Sequence, residues 1–228
     1  MLFQQGRMSW ARWAVEFLLV LCSVYLAVFL EGWNQDRIER LAAHQALEQL
    51  LGELREDQAD FKRIIAAQES LMHDYSNLGR WLGDRMNAPP DSVGAAIRRI
   101  ATENLTLFPR RASWTTMISA GQLADLDDPE LVLQLGQLYE TIYDRLDYNS
   151  ALYDEALGVE LRADAIRWTD LDERPLTSDS SDVERLLQGL EHMHVAWNVW
   201  YRDLLRSYED ELQDAIVAVE EYLRAEGA

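Results

Sequence analysis

Hydrophobic positions along the chain follow two regimes, a solid run near the start and then a long periodic pattern. From Phe17 to Leu30 no residue is charged and neither Pro nor Gly interrupts, inside a stretch, Trp13 to Trp33, that reads WAVEFLLVLCSVYLAVFLEGW. The two tryptophans stand twenty residues apart. A helix between them rises about 1.5 Å per residue and spans roughly 30 Å, the thickness of a bilayer's hydrocarbon core. Trp13 and Trp33 then fall where aromatic belts meet the headgroups. The pattern predicts a transmembrane helix over 13–33 behind a leader of residues 1–12. Ala27-Val28-Phe29-Leu30-Glu31-Gly32 offers no small-residue cleavage site, so the span is expected to stay attached.

Beyond Gly32 the pattern turns amphipathic. Ile38, Leu41, Leu47, Leu50, Leu54, Phe61, Ile64, Leu71, Tyr75 and Leu78 recur at spacings built from threes and fours, which predicts one helix over about 34–86, continuous with the span. Asn87-Ala88-Pro89-Pro90 is a stop, and Asp91 or Ser92 is placed to cap a short helix through Ile97 and Ile100. Residues 103–128 are the least regular, with Ser113 expected as a cap before Trp114 and Gly121 as a terminator. Asp128-Pro129-Glu130 is the clearest start signal in the chain and opens a helix over 129–168. Residues 169–182 read as a loop, and Asp182 caps a last helix over 183–224 whose apolar side includes Leu186, Leu190, Met193, Trp197, Leu205, Leu212, Ile216 and Val219. No segment alternates with the period of a strand. The expected fold is therefore all-α, one N-terminal transmembrane helix followed by an antiparallel bundle of three long helices with a short helical insertion, the bundle filling residues 34–228.

Charge sharpens this picture. The net charge of −19 resides in the body, because Arg7 and Arg12 balance Glu16 and Glu31 in the first 33 residues. A surface so acidic repels phosphates, so no nucleic-acid partner is expected. The sole cysteine, Cys22, lies within the span and leaves the body without disulfide or thiol chemistry. Basic residues resist translocation while a long domain crosses largely regardless of charge, so the leader, with Arg7 and Arg12, is expected in the cytoplasm and the body outside it.

Two short motifs carry a resemblance. Glu31-Gly32-Trp33-Asn34-Gln35-Asp36-Arg37 marks the exit from the span, and Trp114 to Leu123, with Gly121, precedes Asp128-Pro129-Glu130-Leu131. In this order they resemble a bacterial family of unknown function whose members carry a short leader, a single transmembrane helix with a Trp-Asn exit and an extracytoplasmic helical domain. The resemblance implies a membrane-anchored helical protein and implies no reaction; with the single span and its orientation, a single-pass place in the bacterial inner membrane is expected.

Candidate chemistry is sparse. Glu191 and His194 form one Glu-x-x-His pair, but no second copy exists to complete a di-metal bundle site, and His192 and His194 point apart on a helix. Asp125, Asp127 and Asp128 resemble the opening of a calcium loop, except that Pro129 stands where a ligand belongs. No catalytic residue, cofactor or metal site is assigned. Glu16 is an acid just inside the span, with Arg12 one turn earlier as an ion-pair partner. Ser23 and Ala27 form a small-x-x-x-small pair suited to packing between spans. Trp197, Trp200 and Tyr201 form a candidate partner surface, since interface cores favour aromatics. The leading expectation is a non-enzymatic, membrane-anchored helical protein acting as an interaction or assembly module, its partners the lipid bilayer and a second copy or another envelope protein. The alternatives are an ion-coupled or channel-like subunit acting through Glu16 and, third, a metal-binding or hydrolytic bundle enzyme.

Overall fold

In a computed structural model, which describes residues 6–83, 90–103, 106–159, 185 and 188–226, every regular element among the described residues is helical. The first helix, α1, runs unbroken from Gly6 to Gly83. It contains no proline, and its interior glycines do not break it. Every described side chain from Trp13 to Leu41 is exposed, so this half of α1 touches nothing else in the chain's core. From Ala43 onward the other half is a core helix, burying Leu47, Leu50, Leu54, Phe61, Ile64, Leu71 and Leu78. Each such aliphatic side chain contributes about 1.5 to 3 kcal/mol by leaving water.

Further helical segments build the body around that stripe. α2 spans Pro90–Thr102 and α3 spans Ala112–Ser119. α4, Pro129–Gln137, passes through a π-helical turn, Leu138–Ile142, into α5, Tyr143–Leu157, without interruption. A second π turn, Met193–Asn198, leads into α6, Val199–Ser207, which is followed by α7, Glu209–Glu226. α1 packs against α2, α3, α6 and α7, while α4 also touches α7 and α5 touches α6. Arg55 meets Glu220, Gln58 meets Gln213 and Glu69 meets Arg206, so partner numbers fall as those of α1 rise. The C-terminal helices therefore run back along α1.

Local signals explain most of the boundaries. The Asp128 carboxylate accepts hydrogen bonds from the amides of Glu130 and Leu131, both 3.0 Å, with Pro129 at the first helical position. Asp128→Ala is expected to cost about 1 kcal/mol, the usual worth of an N-cap, read as a lowered urea midpoint with unchanged slope. Gly121 adopts a left-handed φ of 73°, which ends α3 and which other residues rarely adopt.

Two expectations need correction. Ser113 does not cap α3. Arg111 holds the cap position without a side-chain capping bond, and Ser113 sits one step inside the helix. The last helix is also broken, because Tyr208 leaves helical geometry at φ −113° and ψ 1° between α6 and α7. There the Ser207 hydroxyl donates to the Leu204 carbonyl at 2.7 Å, and the Tyr208 amide bonds back only three residues to Leu205. The expected stop at Asn87 to Pro89, the helix end at Trp168, the loop over 169–182 and the Asp182 cap lie outside the described residues.

Candidate functional site

Among the described residues, many polar side chains meet where the connection from Thr106 to Arg111 crosses the body. This connection has no regular structure, yet Leu107 in it is fully buried. A buried backbone must find partners for its polar groups. The Leu107 amide donates to the Tyr201 hydroxyl at 2.8 Å, and its carbonyl accepts from the Ser150 hydroxyl at 2.8 Å. Ser150 and Tyr201 are joined to each other at 2.7 Å. Thr106 donates to Asp154 at 3.1 Å. The connection is thus clasped by α5 on one side and α6 on the other.

Its second half is clasped by α1. Glu53, Glu56, Asp57 and Asp60 recur at helical spacing, and the Arg110 guanidinium reaches three of them: Asp57 at 2.7 Å, Glu56 at 2.8 Å and Asp60 at 3.0 Å. Asp57 is completely buried and also accepts from the Arg110 amide at 3.2 Å and the Tyr143 hydroxyl at 2.8 Å. Glu53 takes the Ser113 amide at 3.1 Å and the Ser113 hydroxyl at 2.9 Å. A carboxylate sixty residues earlier in the chain thus satisfies an orphan amide in the first turn of α3 and faces the positive end of that helix.

Arg111 turns the other way, to Asp144 at 2.6 Å, Asp147 at 2.8 Å and the Tyr139 carbonyl at 3.2 Å. Trp114 completes the clasp. Its ring stacks on Tyr139 with centroids 4.8 Å apart and planes 7° from parallel, while its indole N–H donates to Glu140 at 2.7 Å.

Burial pushes the Asp57 carboxyl above its ordinary value of 3.8, and the bonds from Arg110 and Tyr143 pull it back. The hydrogen bond to Asp57 raises Arg110 and keeps its charge fixed. Burial, and then the nearby Asp57 charge, raise the Tyr143 and Tyr139 hydroxyls, so both stay neutral. Asp60 is less buried. Its slight desolvation is outweighed by Arg110 and Arg63, which hold it below the ordinary value. Asp57 points its oxygens into donors of the same chain. Such a carboxylate positions a backbone segment and has no open face for a substrate.

The residues singled out from the sequence lie elsewhere. Trp13 and Trp33 are exposed on α1, as are Glu16 and Ala27. The Ser23 hydroxyl donates to the Val20 carbonyl at 2.8 Å. Trp197 packs half-buried at 5.9 Å from the Trp200 ring, which is 39 % exposed. Tyr201 cannot share a partner surface with them. It is fully buried, and its hydroxyl is engaged with Leu107 and Ser150. His192 and Glu191 border an open hollow with Gln188 and Ala196, and no group of three metal-ligating side chains gathers among the described residues. The side chain of His194 lies outside the described residues.

Among the described residues these features define an all-helical protein with one helix near the N-terminus that is long and apolar enough to cross a membrane. Its chain belongs to the DUF6090 family of unknown function, whose family model matches residues 16–168. The match takes in the apolar stretch from Glu16, the acidic ladder on α1 and the clasp apart from Tyr201 on α6, and it ends before Trp197 and Trp200. No curated protein and no solved structure matches the chain.

Proposed function

We propose that the protein is a non-enzymatic, single-pass assembly module of the bacterial inner membrane. In this reading 13–33 is the span and the antiparallel helical bundle after it projects from the cytoplasm into the envelope. One observation carries the reading: a single helix is bare and apolar in its first part and supplies the core of the body in its second. A helix of that kind joins a bilayer to a folded domain with no intervening linker, which suits a protein that holds a binding surface at a set height. The leader's Arg7 and Arg12 support the orientation. The clasp supports a scaffolding role, since its ionisable groups are spent on each other.

Protease added to intact spheroplasts is expected to digest the body and spare the leader, and cross-linked complexes purified in mild detergent are expected to hold the chain with itself or with another envelope protein. A body protected until the membrane is opened would reverse the orientation. A chain that elutes as a bare monomer after cross-linking would remove the assembly role.

A further inference from the structure

α1 has a second face, opposite the one that packs into the body. Ser23, Ala27 and Leu30 lie on it within the span, and Asn34, Ile38 and Leu41 continue it beyond Trp33. All six are exposed, Ile38 by 52 % and Leu41 by 59 %. At about 100° per residue the face stands roughly half a turn from the core positions Ala43, Leu47 and Leu50. It extends alongside the body through Gln45, which is exposed, to Gly52, where an added side chain would meet nothing within 4 Å. Spacings of four, three and four residues repeat along it, so Ser23, Asn34 and Gln45 are each eleven apart. An eleven-residue repeat is about 3.67 residues per turn, close to a relaxed helix, so the strip runs nearly straight.

We infer that this face is the seam of a parallel pair formed with a second copy of the chain. The inference rests on the reading of α1 as a membrane-crossing helix. The occupant must be a helix too, because the strip passes from lipid to water without a break. It must also leave the bilayer in the same direction. A second copy meets both demands by two-fold symmetry. Small Ser23 and Ala27 let two backbones approach where no hydrophobic drive exists. Ile38 and Leu41 then leave water, and Asn34 pairs its amide with its own equivalent, as a polar residue in a helical seam does.

Charge selects the same face. The chain carries −19, yet the strip is neutral, with Glu31 on one margin and Arg37 and Glu48 on the other. Glu48 turns toward His44 on its own helix, 3.9 Å away. In a parallel two-fold pair, Glu31 of each copy lies toward Arg37 of the other. The acidic bodies meanwhile sit on the outer sides, as far apart as two copies sharing α1 can be.

The test uses the full chain in native membranes, with Cys22→Ser and single cysteines placed at Ile38, Leu41, Gln45, Glu39 or Arg40. All five positions are exposed, so the core is untouched. Disulfides need Cα atoms within about 7 Å, so mild oxidation is expected to give at least about fivefold more dimer from Ile38→Cys and Leu41→Cys than from Glu39→Cys and Arg40→Cys, with Gln45→Cys following the first two. Equal yields at all five positions, a maximum at Glu39 or Arg40, or a product containing a different protein would overturn the pairing. Fractionation of the same samples separates the two readings. A chain absent from the membrane fraction defeats both, whereas a membrane-bound chain without this periodicity defeats the pairing alone.

Discussion

The full chain is expected to sediment with membranes and to stay in solution only with detergent, while a chain beginning at Asn34 remains soluble, helical and folded. Ten Val, Leu and Phe side chains lie from Phe17 to Leu30, all of them exposed. At about 1.5 to 3 kcal/mol each, their removal from water is worth roughly 15 to 30 kcal/mol, far more than the stability of an ordinary domain. None of them contributes to the core, whose first member is Ala43. Deleting them therefore removes the membrane affinity and leaves the packing intact. Ultracentrifugation, with circular dichroism of the shortened chain, checks both halves. Full-length protein in a detergent-free supernatant would defeat the membrane reading, and a shortened chain that is unfolded would show that the body depends on the apolar helix.

Arg110→Ala is expected to be the most damaging single substitution in the clasp, at about 3 kcal/mol. Removing one partner of a buried ion pair leaves the other charge without compensation, which usually costs about 3 to 5 kcal/mol, and the partial exposure of Arg110 places it at the lower end. The asymmetry is testable. Asp57→Asn frees Arg110 to keep Asp60 and Glu56 and is expected to cost less. Adding Asp57→Asn to Arg110→Ala should recover part of the loss, as a double-mutant cycle would read.

The pH dependence has a definite sign. An acid whose folded pKa is raised holds its proton more tightly when folded, so its contribution improves as pH falls through that raised value toward 3.8. Without Arg110 the Asp57 value rises further, so the penalty is expected to be larger at pH 7 than at pH 5. Asp60, held low by Arg110 and Arg63, works in the opposite sense and loses its contribution only as pH falls below 3.8. An Arg110→Ala penalty that is unchanged or larger at pH 5 would mean that Asp57 is already relieved by water.

Periodicity made the helices legible because each one hides a stripe. Ala43 to Leu78 and Leu131 to Leu157 are buried at the spacing their sequence shows, and Asp128 and Gly121 act through backbone chemistry that a single residue dictates. The clasp was harder to see. Glu53, Glu56, Asp57 and Asp60 look like a solvated helix face, and only the opposite charge of the adjacent Arg110 and Arg111 hints at a partner. That pairing spans about fifty residues of chain, and no local rule chooses between water and Arg110 for Asp57. Tyr201 misled for a related reason. An aromatic beside Trp200 resembles a surface cluster until the buried Leu107 amide, ninety-four residues away, supplies its hydrogen bond. The π turns at Leu138 and Met193 likewise have no signature in composition.

The absence of a joint in α1 has a mechanical consequence. From Trp33 to Gly83 the helix extends for roughly 75 Å at 1.5 Å per residue, and its outer part is locked into the body by α2, α3, α6 and α7. On the proposed membrane reading, span and body move as one lever pivoting in the bilayer. A change of about 10° in tilt, well within the range transmembrane helices show, sweeps the distal end through roughly 13 Å. A change in membrane thickness, to which a span can respond by tilting, would then shift where the far end of the body stands.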